Sequence, residues 1–294
     1  MHVVVAANPH ARFGRAKTAG AEAAAKLVEA GHEVHFFERT SWEHLLADVR
    51  DACSDTDALV VVGGDGMVHL AVNVVAEHEV PFAIVPSGSG NDFAKTLGLE
   101  SLDAAIAGLP EALTRDPIQV DALRIRHSAG VRYAAGIVSV GFDADVNRRS
   151  FDLQRVPSRV RYEAAIALTL TNPHHRTFEI AFDDDEPFEL STLIFAIANH
   201  QHFGGGIRIA PEADVFDGKL TTVWADPLTR IRFYRLLTKA LRGRHTGERD
   251  VHVQDAQRVR LWSSESVDAF ADGEKIGALP IEVEVCPGLL RVLR

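Results

Sequence analysis

The chain has little cysteine: Cys53 and Cys286 are the only two in 294 residues, far apart and without CxxC or zinc-ligand spacing. A disulfide framework is therefore not expected, and a reducing cytosol fits. Long apolar runs are missing too. No uninterrupted stretch reaches the about 18 residues of a bilayer-spanning helix. The opening Val3-Val4-Val5-Ala6-Ala7 is too short for a signal peptide and has no basic segment ahead of it. These absences predict a soluble cytoplasmic protein without a transmembrane segment. Positive charge is in deficit, with a formal net charge of −10. That balance argues against nucleic acid as the main partner, because neutralising phosphates requires a basic surface. Any pull towards an anionic membrane must then come from a local patch. The chain has no internal repeat or low-complexity segment. It also lacks a GxxxxGK[ST] loop and a GxGxxG turn, so the ordinary ATPase and dehydrogenase fingerprints are missing.

What remains is ordinary globular composition, 46% apolar and 24% charged, in a chain long enough for two domains. In the first third, short apolar runs alternate with helix-favouring segments. Strands are expected at residues 3–7, 33–37, 58–62 and 82–85. Helices are expected at 17–29, from an N-cap at Ser41 towards residue 52, and onward from Met67. That alternation predicts a doubly wound parallel sheet with helices on both faces. After residue 117 helices thin out, with 159–170 and 228–241 the clearest. Strands are expected at 120–126, 131–140, 178–182, 192–198 and 220–224, which predicts a mainly antiparallel β-sandwich. The division falls at 1–120 and 121–294. The last strands, 281–285 and 289–293, fit either domain.

The chemistry concentrates in two glycine loops. A strand running directly into Gly63-Gly64-Asp65-Gly66 and then a helix gathers free backbone N–H groups at one point, where phosphate is attracted. Asp65 would repel bare phosphate, which implies Mg²⁺ as a bridge or a catalytic role. Alone, the four residues are also readable as an empty turn. The second loop, Pro86-Ser87-Gly88-Ser89-Gly90-Asn91-Asp92-Phe93, follows the next strand. Loops at the carboxyl ends of adjacent parallel strands converge on one crevice, so the pair points to a nucleotide site.

In order and spacing these motifs resemble the diacylglycerol kinase catalytic family, which includes bacterial lipid kinases and the sphingosine and ceramide kinases. The resemblance covers nearly the whole chain. It runs from Asn8-Pro9 and Gly14 through both glycine loops to Ser139-Val140-Gly141-Phe142-Asp143-Ala144. It continues in Asn199 with Gly204-Gly205-Gly206, in residues 211–220 and in Asp272-Gly273-Glu274. It implies a nucleotide-binding α/β domain and a β-sandwich lipid-substrate domain with the active site between them. ATP would be held by Asn8, Thr40, Gly63, Gly64, Asp65, Gly66, Met67, Ser87, Gly88 and Ser89. Glu274 matches the general base, with Asp65 beside it in the catalytic set. Mg²⁺ would accompany ATP, and a structural Mg²⁺ would take the Asp217 carboxylate and the Asp214 and Lys219 carbonyls. A glycine-containing turn rich in oxygen suits such a cation, although Asp217-Gly218 is also an ordinary hairpin tip. The implied reaction moves the γ-phosphoryl group of ATP to a lipid hydroxyl, diacylglycerol by default. The implied place is the inner face of the membrane, and a homodimer through exposed strand edges is a further expectation.

The chain departs from the family where most members read GGDGT followed by Asn-Glu. Here stand Met67, Val68, His69 and Leu70. The departure motivates a rival reading as a catalytically weak nucleotide- or lipid-binding protein, against which intact Asp65 and Glu274 argue. NAD kinase is the nearest rival enzyme, sharing the GGDG loop.

Other signals are read more plainly. The arginines of residues 228–244 are expected on the solvated face of a helix packed against the sandwich, with an anionic membrane surface as the alternative. Arg148, Arg149, Arg155, Arg159 and Arg161 form a second basic cluster of the same ambiguity. His200, His202, His174 and His175 lack a further ligand at metal spacing and are expected to be polar surface. Asp183 to Glu186 reads as a solvated hairpin turn.

Overall fold

The computed structural model describes residues 1–8, 18–153, 156, 158–171 and 174–294. Its N-terminal half contains the strands β1 (His2–Ala7), β2 (Glu33–Glu38), β3 (Ala58–Gly63) and β4 (Phe82–Pro86). They are joined by helices α1 (Ala19–Glu29), α2 (Trp42–Ala52) and α3 (Asp65–His78), and followed by α4 (Asp92–Thr96) and α5 (Leu102–Ala112). The strands pair in parallel in the order β2-β1-β3-β4. Because successive side chains point to opposite faces, Val3, Val5, Val60, Val62 and Val85 share one side. There they meet Ala23 and Leu27 of α1 and Ile106 and Leu109 of α5. Val4, Ala6, Val61, Phe82 and Ile84 face the opposite layer, Leu45 and Val49 of α2 and Leu70 and Val74 of α3. Both faces are covered, which is why these strands read as nearly continuous apolar runs. Ser41 caps α2 as expected, its Oγ accepting the His44 N–H at 3.4 Å.

The C-terminal half adds β5 (Ile118–His127), β6 (Gly130–Ala134), β7 (Ile137–Gly141), β8 (Arg176–Phe182), β9 (Phe188–Thr192), β10 (Ile194–Ala198) and β11 (Leu220–Ala225). The strands β12 (Val251–Ala256), β13 (Arg258–Trp262), β14 (Asp268–Ala271), β15 (Glu274–Ala278) and β16 (Ile281–Leu293) complete it. Helices α6 (Phe142–Asp152), α7 (Ser158–Thr171) and α8 (Arg230–Ala240) are packed outside. Among the described residues, β12-β11-β10-β7-β14-β15 form an antiparallel six-stranded sheet. Its inner face packs Val138, Phe195, Leu220 and Trp224 against Leu123, Ile125, Phe178 and Ile180 of the other sheet. Each such side chain contributes about 1.5–3 kcal/mol on burial. The outer face receives α6, α7 and α8 through Phe142, Val146, Ala165, Phe233 and Leu236. The α/β plus antiparallel sandwich class expected from the sequence is the class observed.

Two strand expectations need correction. Residues 131–140 are not one strand but β6 and β7, which belong to different sheets. The chain crosses over at Gly136, where a Cβ would stand 2.5 Å from His200 Nε2 and 2.6 Å from Asp272 Oδ1. Residues 281–293, expected as two strands, are the single strand β16, with its register shifted between Cys286 and Leu290. Its first part pairs antiparallel with β13, and its last residues pair in parallel with β4, Val292 opposite Phe82. Through β16 the parallel and antiparallel strands form one ten-stranded sheet among the described residues.

Candidate active site

The carboxyl ends of β1, β2, β3 and β4 lead into Asn8, Thr40, the Gly63–Gly66 loop and the Ser87–Gly90 loop respectively. The parallel topology therefore brings every nucleotide-site residue expected from the sequence to one edge of the sheet. Asn8 is half-buried and Thr40 exposed, while Pro9 and Gly14 lie outside the described residues. The two glycine loops touch. A Cβ on Gly88 would stand 2.3 Å from the Gly64 Cα, and one on Gly64 would stand 3.0 Å from the Gly88 Cα, so neither position has room for a side chain. Asn91, at φ 55°, pins the second loop by accepting the Gly88 N–H at 2.9 Å and donating to the Gly88 carbonyl at 3.2 Å. As the first two residues of α3, Asp65 and Gly66 keep N–H groups with no intrahelical acceptor, at the positive end of the helix dipole.

The residues that depart from the family divide into two sets. Met67 turns inward and fills the space beside Gly63, where a Cβ would meet Met67 Cγ at 2.3 Å, and its N–H is bonded to the Gly64 carbonyl at 2.9 Å. Leu70 is wholly buried in the core. Neither side chain faces the cleft. His69 does, with Nδ1 3.4 Å from Asp272 Oδ2.

Asp272 organises the opposite wall. At φ 52° it accepts the Ala135 N–H (3.0 Å) on Oδ2, and the Gly136 (2.9 Å) and Ile137 (3.2 Å) N–H groups on Oδ1. Burial pushes its carboxyl up, but the His69 hydrogen bond, the neighbouring histidines and the backbone donors outweigh burial and hold it below the usual carboxylate range. Hydrogen bonds to a charged group are worth about 1.5–3 kcal/mol each, enough to fix the β6–β7 crossover and the β14–β15 turn together. That turn carries Glu274. A Cβ on Gly66 would stand 3.5 Å from Glu274 Oε1, so the carboxylate looks directly onto the glycine loop. One turn beyond His69, Asn73 secures the same helix. It donates to the Tyr133 carbonyl at 2.8 Å and accepts the Tyr133 N–H at 3.0 Å.

Asp65 is half-buried at the start of α3. Burial foremost, then the carboxylates of Asp92 and Asp272, push it up to about 6 against the N–H of Phe93, 3.3 Å from its Oδ1. Asp92 is itself buried, and its Oδ1 has no hydrogen-bond partner, Lys95 Nζ standing 3.9 Å away. Its Oδ2 accepts the Gly205 N–H at 2.8 Å, which draws the Gly204–Gly206 loop over Gly90. His200 is buried between Phe93 and Gly136, and burial lowers its pKa.

Ser87 is buried with an unpartnered Oγ, and Ser89 is exposed. Asp214, Asp217 and Lys219 stand apart from the nucleotide edge, on the turn before β11. Asp214 accepts the Phe216 N–H at 3.1 Å and Asp217 the Lys219 N–H at 3.0 Å. Asp121 closes the turn from below by accepting the Gly218 and Gly288 N–H groups at 2.7 Å. No group of three or more metal-type side chains is found among the described residues. His175 accepts the Leu228 N–H, and His174 lies 3.8 Å from Glu265, so these histidines serve separate local contacts. Asp183 to Glu186 form the β8–β9 hairpin turn, as expected. Arg155 lies outside the described residues, as does the side chain of Arg159.

The roles of Asp92, Asn73 and Asn199 escape sequence reasoning, because each works through backbone groups that only the fold brings near. Asn199, for example, donates to the carbonyls of Asp121 and Ala135 from a fully buried position.

Comparison with known proteins identifies the family and the fold. The diacylglycerol kinase catalytic domain model matches residues 2–125, and the YegS C-terminal NAD kinase beta sandwich-like domain model matches residues 136–294. The diacylglycerol kinase of Mycobacterium tuberculosis is 30% identical over 302 residues, covering 99% of this chain and 94% of the relative. That of Bacillus subtilis is 24% identical over 266 residues, covering 87% and 84%. In fold, a solved diacylglycerol kinase from Bacillus anthracis aligns at TM-score 0.73 with 17% identity, over 99% of this chain and 96% of the other. An NAD kinase from Archaeoglobus fulgidus in complex with ATP aligns at TM-score 0.55 with 15% identity, over 100% and 94%. The halves that meet where Glu274 faces Gly66 are the halves those two family models describe, and the chain belongs to the diacylglycerol kinase family of kinases.

Proposed function

We propose that the chain is an ATP-dependent lipid kinase acting at the inner face of the membrane, with diacylglycerol as acceptor and phosphatidic acid as product. The observation that carries the reading is the approach of Glu274 Oε1 to Gly66 across the cleft. It puts a carboxylate where a hydroxyl would attack a phosphate lying on the glycine loop. In the proposed reaction the lipid oxygen forms a bond to the γ-phosphorus as the bridging bond to ADP breaks, and Glu274 takes the hydroxyl proton. The N–H groups of Asp65 and Gly66 receive phosphate oxygens, and Asn8, Thr40, Ser87 and Ser89 border the nucleotide from the same sheet edge.

Mg²⁺ fits this site. Asp65 is half-buried and Asp92 buried, Asp92 Oδ1 has no hydrogen-bond partner, and among the described residues no lysine or arginine is within ion-pair contact of Asp65. Mg²⁺ characteristically uses one or two carboxylates and takes its other ligands from phosphate and water, so a larger protein cluster is not required. Bound there, it would neutralise charge on the transferring phosphates. The Asp214–Lys219 turn is the proposed seat of a structural Mg²⁺, through Asp217 and the Asp214 and Lys219 carbonyls.

The acyl chains also have a place. An apolar pocket lies between the outer face of the six-stranded sheet and the helices; Phe142, Ile194, Val223, Phe233, Leu236 and Ala240 are among its lining. The fold likeness to NAD kinase supports a second reading, phosphorylation of the ribose of NAD. The deciding experiment supplies labelled ATP and Mg²⁺ with mixed micelles of diacylglycerol, sphingosine or ceramide, and NAD in parallel. Label in phosphatidic acid supports the proposal. Label only in NADP overturns it.

A further inference from the structure

We infer that the outward face of α8 is the surface through which the chain docks on an anionic lipid bilayer. The purpose of that contact rests on the lipid-kinase reading; the structural case for it does not. The inner side of α8 is committed to the core, with Phe233, Leu236 and Ala240 buried against the sandwich. Its outer side leaves Ile231 70%, Tyr234 59% and the following Leu241 57% exposed. The spacing of three and then seven residues puts all three on one side of the helix, as a stripe. Large apolar side chains lined up in this way are a liability in water unless something covers them.

The charges around the stripe say what covers it. Arg230, Arg235, Arg242 and Arg244 are exposed, and none has an ion-pair partner among the described residues. The helix's other cations are treated differently. Arg232 is bonded to Glu248 and Asp250 at 2.7 Å, and Lys239 to Glu248. Residues 230–244 thus hold four unneutralised cations, in a chain whose net charge is −10. A bilayer with anionic headgroups matches both properties. The apolar stripe enters the headgroup boundary while the guanidinium groups remain at phosphate level. A second copy of this chain matches only one of them, because an isologous contact would set the four arginines against their own images. Nucleic acid would gain nothing from the exposed Ile231 and Leu241. Docking in this way also sets the helix that walls the apolar cavity against the lipid that would fill it.

The test measures sedimentation of the full chain with vesicles of phosphatidylcholine alone and of phosphatidylcholine containing about one-third phosphatidylglycerol. The wild type is expected to sediment with the anionic vesicles only. Arg230→Gln with Arg235→Gln is expected to weaken that binding about 25-fold, at about 1 kcal/mol per cation. Ile231→Ser with Leu241→Ser is expected to weaken it at least about tenfold, through apolar area lost from the interface. Both pairs should keep the wild-type melting temperature. They should also keep turnover on a short-chain, monomeric diacylglycerol, while turnover on vesicles falls in step with binding. Wild-type vesicle binding by both variant pairs would overturn the inference. So would equal binding to neutral vesicles, or a dimer in light scattering that Ile231→Ser dissociates. Vesicle binding without turnover on any lipid would sink the kinase reading and leave the docking face standing.

Discussion

His69 and Asp272 face each other across the cleft, Nδ1 to Oδ2 at 3.4 Å, and both side chains are almost wholly buried. One belongs to the helix that begins in the glycine loop, the other to the turn that presents Glu274. The contact therefore fixes the distance between the phosphate cradle and the proposed base without touching either ligand. His69→Ala should lower kcat about tenfold or more, because Asp272 keeps its three backbone donors but loses the contact that ties its turn to α3, with little change in KM for ATP. His69→Asn, which restores a donor at that site, should recover most of the loss. Equal kcat in His69→Ala and wild type would refute the positioning role.

Glu274 itself should be separable from binding. Glu274→Ala is expected to cut phosphoryl transfer by about 10²–10⁴ while ATP affinity, measured by equilibrium dialysis, stays near that of the wild type. Unchanged turnover would remove Glu274 from the base role.

The two glycine loops should respond differently to one added methyl group. Gly88→Ala drives a Cβ to within 2.3 Å of the Gly64 Cα, a backbone collision that no rotamer relieves. A loss of about 1–3 kcal/mol is expected in urea unfolding. Gly66→Ala meets only Glu274 Oε1 at 3.5 Å, an ordinary contact. Its stability should be unchanged, but the methyl occupies the gap where phosphate and hydroxyl must meet, so activity should fall sharply.

Asp65 carries a stability cost that depends on pH. Its folded value of about 6 lies above the unfolded 3.8. Between these values the folded chain retains a proton that the unfolded chain has lost, so this group's contribution declines as pH rises through the window and is fully unfavourable above it. Asp65→Asn should therefore stabilise the protein near pH 8 by up to about 3 kcal/mol, with no gain below about pH 4. Thermal melts across that range decide the matter. The same substitution should abolish Mg²⁺-dependent transfer, and Mg²⁺ with ATP should raise the melting temperature of the wild type more than that of the variant.

The sequence showed the nucleotide half clearly, since β1, β3 and β4 are nearly pure apolar runs that stop at glycine, serine or asparagine turns. It showed Glu274 only by resemblance, because a carboxylate after a turn has no local signature. The crossover at Gly136 was hidden for a related reason. Residues 131–140 alternate well enough for one strand, and the break is imposed by Asp272, more than 130 residues away. A glycine inside a strand pattern was the available clue. Asp92 and Asn73 were out of reach, since their partners are backbone groups of distant loops. The exposed apolar side of α8 could be judged only once its other side was seen to be occupied.

β16 has a mechanical consequence. It pairs with β4 through Val292 and Leu293 at one end and with β13 at the other, so a single strand ties the two halves of the molecule together. Heat should meet one cooperative block, and calorimetry should record a single peak whose calorimetric and van't Hoff enthalpies agree. A strand shared in this way resists a swing of one half against the other. On the lipid-kinase proposal, nucleotide and lipid would then be admitted by the loops at the cleft's rim, with the sheet beneath as the anvil.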